Sequence, residues 1–239
     1  MDPKALGLGL ALVAYNNGMN LWHRFHGGLY VPLNLAASAA VLLTGVVVWN
    51  LDDAMLGFGT GQGAGLAVGL ALGAAGASPL FAALRYRRTA RAIADDRVAG
   101  TTRGDIAFRA LVRVPLGTAL LEEVAFRGVL FAVMAPGGAL QAAVWSSAAF
   151  GLWHVAPAYN QLRVNRVVGT RPLSTVVALV ALSVLTTFAA GLGLVWLRTL
   201  TGGLAAPFAL HATLNSLSTV AAHLAHKRAA TEVSRTLSS

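Results

Sequence analysis

Between Val114 and Met134 an otherwise apolar run carries Glu122, Glu123 and Arg127 near its middle. Each charge at the centre of a membrane helix costs about 2.5–3.5 kcal/mol on insertion scales. Ionisable groups kept at that cost face a bundle interior or a wet cavity and mark functional sites. Glu123 and Arg127 are four apart with the acid first, the favoured order for an ion pair along one helix. Glu122 is turned about 100° from Glu123, so its partner must come from another segment. Two segments offer one: Phe150-Gly-Leu-Trp-His154 and His211-Ala-Thr-Leu-Asn215. His211 and Asn215, four apart, share a helix face. A carboxylate beside an imidazole is a general-base pair able to deprotonate water, and a His and an Asn presented together suit an oxyanion. Singly, His154 reads equally well as a satisfied buried histidine, and His211 with Asn215 as interhelical glue. Convergence of Glu122, His154, His211 and Asn215 on one cavity would satisfy all four at once.

The elements that must bring them together are membrane helices. Of 239 residues 56% are hydrophobic and 11% charged, and mean hydropathy is +0.65. A soluble domain needs about 25% charged residues to cover its surface, and disorder needs high charge with low hydrophobicity. Both are excluded. Absence of cysteine removes disulfides, thiolate metal sites and Cys nucleophiles. Apolar runs near the bilayer length of about 20 residues are Leu29–Trp49, Ala64–Leu84, Val114–Met134, Ala139–Pro157, Ser174–Arg198 and Leu204–His226. The stretch Ala5–Ala14 is shorter and meets Tyr15-Asn16-Asn17; it reads as a re-entrant or interfacial helix in preference to a seventh span. The expected fold is therefore all-α, a polytopic transmembrane bundle of six to seven spans. Residues 1–105 hold N-terminal membrane helices and a basic loop, 106–222 the core with the polar constellation, and 223–239 a polar tail.

Six spans divide the connecting segments between two sides. Sixteen of the 18 basic residues fall on the side that holds both termini; the other side carries Asp52 and Asp53 and no cation. That is the positive-inside asymmetry, placing both termini in the cytoplasm of a multi-pass cell-membrane protein. The basic run Arg85–Arg113 thus reads as a topology signal touching anionic headgroups. It lacks the aromatic platforms of a nucleic-acid site, so no nucleic-acid partner is expected. The glycines of 57–65 match neither G-x-G-x-x-G nor G-K-[ST]; Gly61, Gly65, Gly69 and Gly73 instead present a small-residue packing face. His23/His26 and His223/His226 read as solvated interfacial pairs.

The ordered trio Glu122-Glu123-xxx-Arg127, Phe150-xxx-His154 and His211-xxx-Asn215 resembles the motif set of the CAAX protease and bacteriocin-processing (CPBP, or Abi) family, and within it the Rce1-like type II CAAX proteases. The likeness covers roughly 106–222. It implies an intramembrane endopeptidase of the glutamate type acting on a membrane-associated protein or peptide. By the resemblance, Glu122 and His154 would activate water and His211 with Asn215 hold the oxyanion. Glu123, Arg127 and Phe150 would position them. No cofactor is expected. Were zinc used, Glu122, His154 and His211 would be its ligands, although no H-E-x-x-H occurs. A non-catalytic immunity or scaffold protein and a proton-coupled carrier are the competing functional classes. The catalytic reading makes one structural demand. In the six-span scheme His154 lies near the cytoplasmic end of its span and His211 nearer the opposite end, a depth gap on the order of 10 Å at 1.5 Å per residue. That offset has to vanish.

Overall fold

The computed structural model describes residues 2–22 and 27–237, with side chains to 229. His23 and His26 lie outside the described residues. Eight long segments organise the fold: α1 (Pro3–Leu21), α2 (Tyr30–Trp49), α3 (Gln62–Ala83), α4 (residues 103–134), α5 (Ala139–Trp153), α6 (Val155–Val164), α7 (Leu173–Thr201) and α8 (Ala205–Leu237). No strand occurs among the described residues, so the fold is all-α, as expected. By length and apolarity α2, α3 and α7 are each able to cross a bilayer.

Their faces are arranged inside out. On α2 the buried positions are Asn34, Ser38, Val41 and Gly45, while Leu43 and Val47 are among its most exposed side chains. A helix in water would bury the leucine and valine. In lipid the small and polar residues turn inward, where close approach and hydrogen bonds hold helices together. The same logic places Gly65, Gly69, Gly73 and Ala77 of α3 against α8. A methyl on Gly73 would sit 2.7 Å from Thr213 Cβ and 2.9 Å from the Leu210 carbonyl oxygen. Gly61 is not part of this face. It precedes the helix at φ 83°, a left-handed conformation that suits glycine, and Ala77 takes the fourth position.

Four further departures have physical causes. α1 does not stop at Ala14; it is capped by Asp2 with Pro3 in its first turn and runs 19 residues to Leu21. Its asparagines, Asn16 buried and Asn17 and Asn20 half-buried, hydrogen-bond to α5 and α6 instead of ending it. The third expected span begins earlier, at a Thr102/Asp105 capping box, and is not a regular α-helix. π-Helical stretches at Arg109–Ala119 and Glu123–Leu130 flank a single α turn, Leu120–Glu122. The fourth expected span breaks at His154, which separates α5 from α6. α8 passes through residue 222 and continues to Leu237, and His223 on it is buried with Nδ1 3.2 Å from Thr101 Oγ1, not solvated.

α4 is the axis. From Leu121 to Leu130 every residue is buried, between α2, α5 and α8. The main hydrophobic core gathers around it, with Phe126, Val129, Leu130, Phe150 and Trp153.

Candidate functional site

The site begins at the π-helical break in α4. π-Bulges cluster at functional sites because they displace side chains and free backbone acceptors. Here the Phe126 carbonyl accepts from Ser146 Oγ of α5 at 2.6 Å, which ties α5 to the break. The α turn at Leu120–Glu122 leaves Glu122 and Glu123 on adjacent bearings, both buried.

Arg127 Nη1 donates to Glu123 Oε1 at 3.1 Å, the ion pair the spacing predicts. The same Glu123 oxygen lies 2.7 Å from His211 Nδ1 of α8. A carboxylate oxygen accepts, so Nδ1 of His211 carries a proton that Glu123 holds. Its other nitrogen, Nε2, then lies 3.5 Å from Glu122 Oε2. Glu122 Oε1 accepts from Trp153 Nε1 at 3.0 Å, and Oε2 is buried with no hydrogen-bond partner among the described residues. The imidazole in direct contact with Glu122 is thus His211. Glu122 and His154 make no direct hydrogen bond or ion pair.

His154 reaches the cluster through Phe150. The Phe150 ring packs edge-on to His154 at 4.7 Å and to His211 at 6.2 Å between ring centroids, and the Arg127 guanidinium lies 4.0 Å from its centroid. Both histidines therefore flank one ring, and the expected depth offset is gone. It disappears because α5 ends at Trp153 while α8, at 33 residues, is far longer than one bilayer span. Half-buried His154 holds Phe150 O at 2.7 Å through Nδ1. A carbonyl only accepts, so here too Nδ1 is the donor and Nε2 is left available. Asn215 follows His211 by one turn; it is half-buried and its side chain makes no hydrogen bond within the described residues. Ser216 Oγ donates to the Ala110 carbonyl at 2.7 Å, pinning this part of α8 to α4.

Three residues outside the expected set build the site. Trp153 is the direct donor to Glu122; adjacency to His154 was its only sequence signal. Asn16 and Asn17 of α1 satisfy the broken helix: Asn16 Nδ2 donates to Trp153 O at 2.8 Å and Asn17 Nδ2 to Leu152 O at 3.0 Å. Asn17 Oδ1 accepts from Ala156 N at 2.6 Å. Carbonyls and amides released by a break in lipid have no water to turn to, and such groups cost several kcal/mol if left alone. Adjacent asparagines in an apolar helix were a signal for this, though they read as a helix end.

Residues 105–217 match the family model for the Rce1-like type II CAAX prenyl endopeptidases. Just under half of the chain is thus similar to the Rce1-like proteases. No curated protein and no solved structure matches it. The Rce1-like segment begins in the first turn of α4 and ends two residues past Asn215, so it contains every residue of the polar constellation and leaves out α1 to α3. The likeness is to proteases, and it lies in a chain with three helices long and apolar enough to cross a membrane. Among the described residues no group of three or more His, Asp or Glu side chains is gathered that could hold a metal ion.

Proposed function

We propose that the Rce1-like domain hydrolyses a peptide bond of a membrane-associated protein or peptide by a glutamate-dependent mechanism, in a cavity open toward the cytoplasm. The observation that carries this is Glu122: a buried carboxylate fixed by Trp153 through one oxygen, its other oxygen unpaired and facing His211. Glu122 Oε2 takes a proton from the attacking water, which His154 Nε2 helps to hold from the half-open side. Hydroxide adds to the scissile carbonyl. His211, protonated on Nε2 as well as on the Nδ1 that Glu123 holds, and the Asn215 side-chain amide donate to the oxyanion that forms; as it collapses and the C–N bond breaks, the proton on Glu122 passes to the leaving amine. Removing one oxyanion donor costs about 10²–10³ in rate in well-studied hydrolases.

The same proposal places α2, α3, α4, α5, α7 and α8 as six crossings of the cell membrane with both termini in the cytoplasm. The charge asymmetry supports that orientation.

Comparative membrane proteomics tests the catalytic assignment. Cells carrying Glu122→Gln should accumulate at least one uncleaved membrane-associated protein that cells with the unsubstituted chain process. Equal processing at equal protein level would remove Glu122 from the mechanism.

A further inference from the structure

Glu122 and His211, 5% and 8% exposed, are closed to a peptide, and the half-buried His154 and Asn215 mark the side from which one would come. That side is bounded by α6, which follows His154, and by the face of α8 that carries His211 and Asn215. At about 100° per residue the same face of α8 comes round again at Ala222. There it packs against Val98, in a small buried cluster with Ile106. Val98 belongs to a short strap, Asp95–Thr101, built on a single 3-10 turn, Asp96–Val98. The strap reaches from α8 to the far end of α6. At α6, Asp96 N donates to Asn165 Oδ1 at 3.0 Å and Asn165 Nδ2 to Asp95 Oδ1 at 3.1 Å. At α8, His226 Nε2 lies 3.4 Å from Asp96 Oδ1, and His223 Nδ1 lies 3.2 Å from Thr101 Oγ1. Arg109 of α4 donates to the Arg97 carbonyl at 2.9 Å. One segment thus touches α4, α6 and α8, about two turns beyond Asn215 and about three beyond His154.

The strap is held lightly. Val98 is its one buried apolar side chain apart from nothing larger than a methyl, and its ties to Asn165 and His226 are made by exposed or half-exposed groups. Segments with few buried apolar contacts and exposed hydrogen bonds open locally at small cost. Gly100, at φ 69°, provides a pivot next to Thr101. Within the strap, Asp95 pairs with Arg97 at 2.6 Å and Thr101 Oγ1 donates to the Val98 carbonyl at 2.7 Å, so its shape is kept by its own bonds. We propose that Asp95–Thr101 is a gate over the mouth of the Glu122 site, which parts from Asn165 and His226 to admit an extended peptide between α6 and α8. As regulation of that site it rests on the reading of the Glu122 cluster as a peptidase centre. It adds that access is governed by residues lying before the Rce1-like segment, which begins at residue 105.

Because the chain has no cysteine, a single Asn215→Cys thiol reports access to the site without any catalysis. In the purified full chain, a soluble maleimide should modify that thiol roughly tenfold faster once Asn165→Ala and His226→Ala are added. Each lost tie of this kind is worth about a factor of 2–10. Ser147→Cys, buried where α5 meets Gly191 of α7, reports loosening of the bundle and should stay equally slow with and without the two alanines. An unchanged rate at Asn215→Cys would overturn the gate and leave the Glu122 assignment untouched. Equal acceleration of both reporters would also overturn it, because the substitutions would then have loosened the whole fold. Acceleration confined to Asn215→Cys supports the gate even if Glu122→Gln cells process every protein normally, so the two readings fail separately.

Discussion

Arg127 and Glu123 are both almost wholly buried, which makes their pairing a matter of stability before chemistry. Removing one partner of such a pair leaves the other charge uncompensated and costs about 3–5 kcal/mol, whereas replacing both often costs little. Glu123→Gln and Arg127→Met are therefore each expected to lower the melting temperature in detergent. The double substitution should recover part of that loss, and an additive double would contradict the reading. Trp153→Phe separates packing from chemistry. The ring keeps its edge-on contact with Phe126 at 5.2 Å but loses the N–H that donates to Glu122. A hydrogen bond to a charged group is worth about 1.5–3 kcal/mol, so turnover should fall roughly 10- to 100-fold with thermal stability little changed. Unchanged turnover on a substrate that Glu122→Gln fails to cleave would show that Glu122 does not need this donor. At this scale the sequence was informative about residue types and less so about pairs. The Glu123–Arg127 contact followed from a spacing of four on one helix. The contact of Glu122 with His211 did not, because it depends on how far α8 slides past α4.

Helices set that slide, and two features of them are open to direct test. α1 lies outside the Rce1-like segment, yet Asn16 and Asn17 close the break that presents His154. Asn17→Ala leaves the Ala156 amide and the Leu152 carbonyl without their partner. The break should then loosen, lowering kcat roughly tenfold or more with KM nearly constant. Faster amide exchange confined to residues around 152–156 is the accompanying signature. If His154→Ala abolishes processing while Asn17→Ala does not, His154 keeps its role and the asparagine loses its own. The α3–α8 contact is tested by size. A valine at Gly69 would overlap the Ala206 carbonyl and approach Ala209 Cβ at 2.7 Å, and rigid backbone cannot yield. Gly69→Val should yield aggregated or poorly inserted protein. Gly63→Ala, with nothing within 4 Å of the added methyl, should behave as the unsubstituted chain. Small-residue periodicity made this contact face legible beforehand. The π-helical register of α4 and the break at His154 were not legible, since both arise from tertiary partners such as Ser146 and Asn17 and leave no mark on hydrophobic periodicity.

For the whole molecule, scarcity of charge is what orders the fold. Few charges mean that the groups facing lipid are leucine and valine and the groups facing inward are glycine, serine and asparagine, and in the proposed topology the cations collect on one side. Six crossings follow only if α4 and α5 also traverse, although α4 is irregular and α5 has only 15 residues. A chain without cysteine allows a clean measurement, because each introduced thiol reports alone. Thr60 sits exposed in the loop before α3, and Arg163 exposed near the end of α6. Three crossings, by α3, α4 and α5, separate them in the proposed topology. An impermeant maleimide should label Thr60→Cys in intact cells and Arg163→Cys only after lysis. Labelling of both thiols from one side would mean that an even number of crossings separates them, so that one of α3, α4 and α5 does not traverse and the six-crossing topology fails. The reverse pattern would keep the crossings but invert the protein, moving the candidate active site toward the outer face. Substrates would then have to come from outside the cell, contrary to the cavity proposed to open toward the cytoplasm.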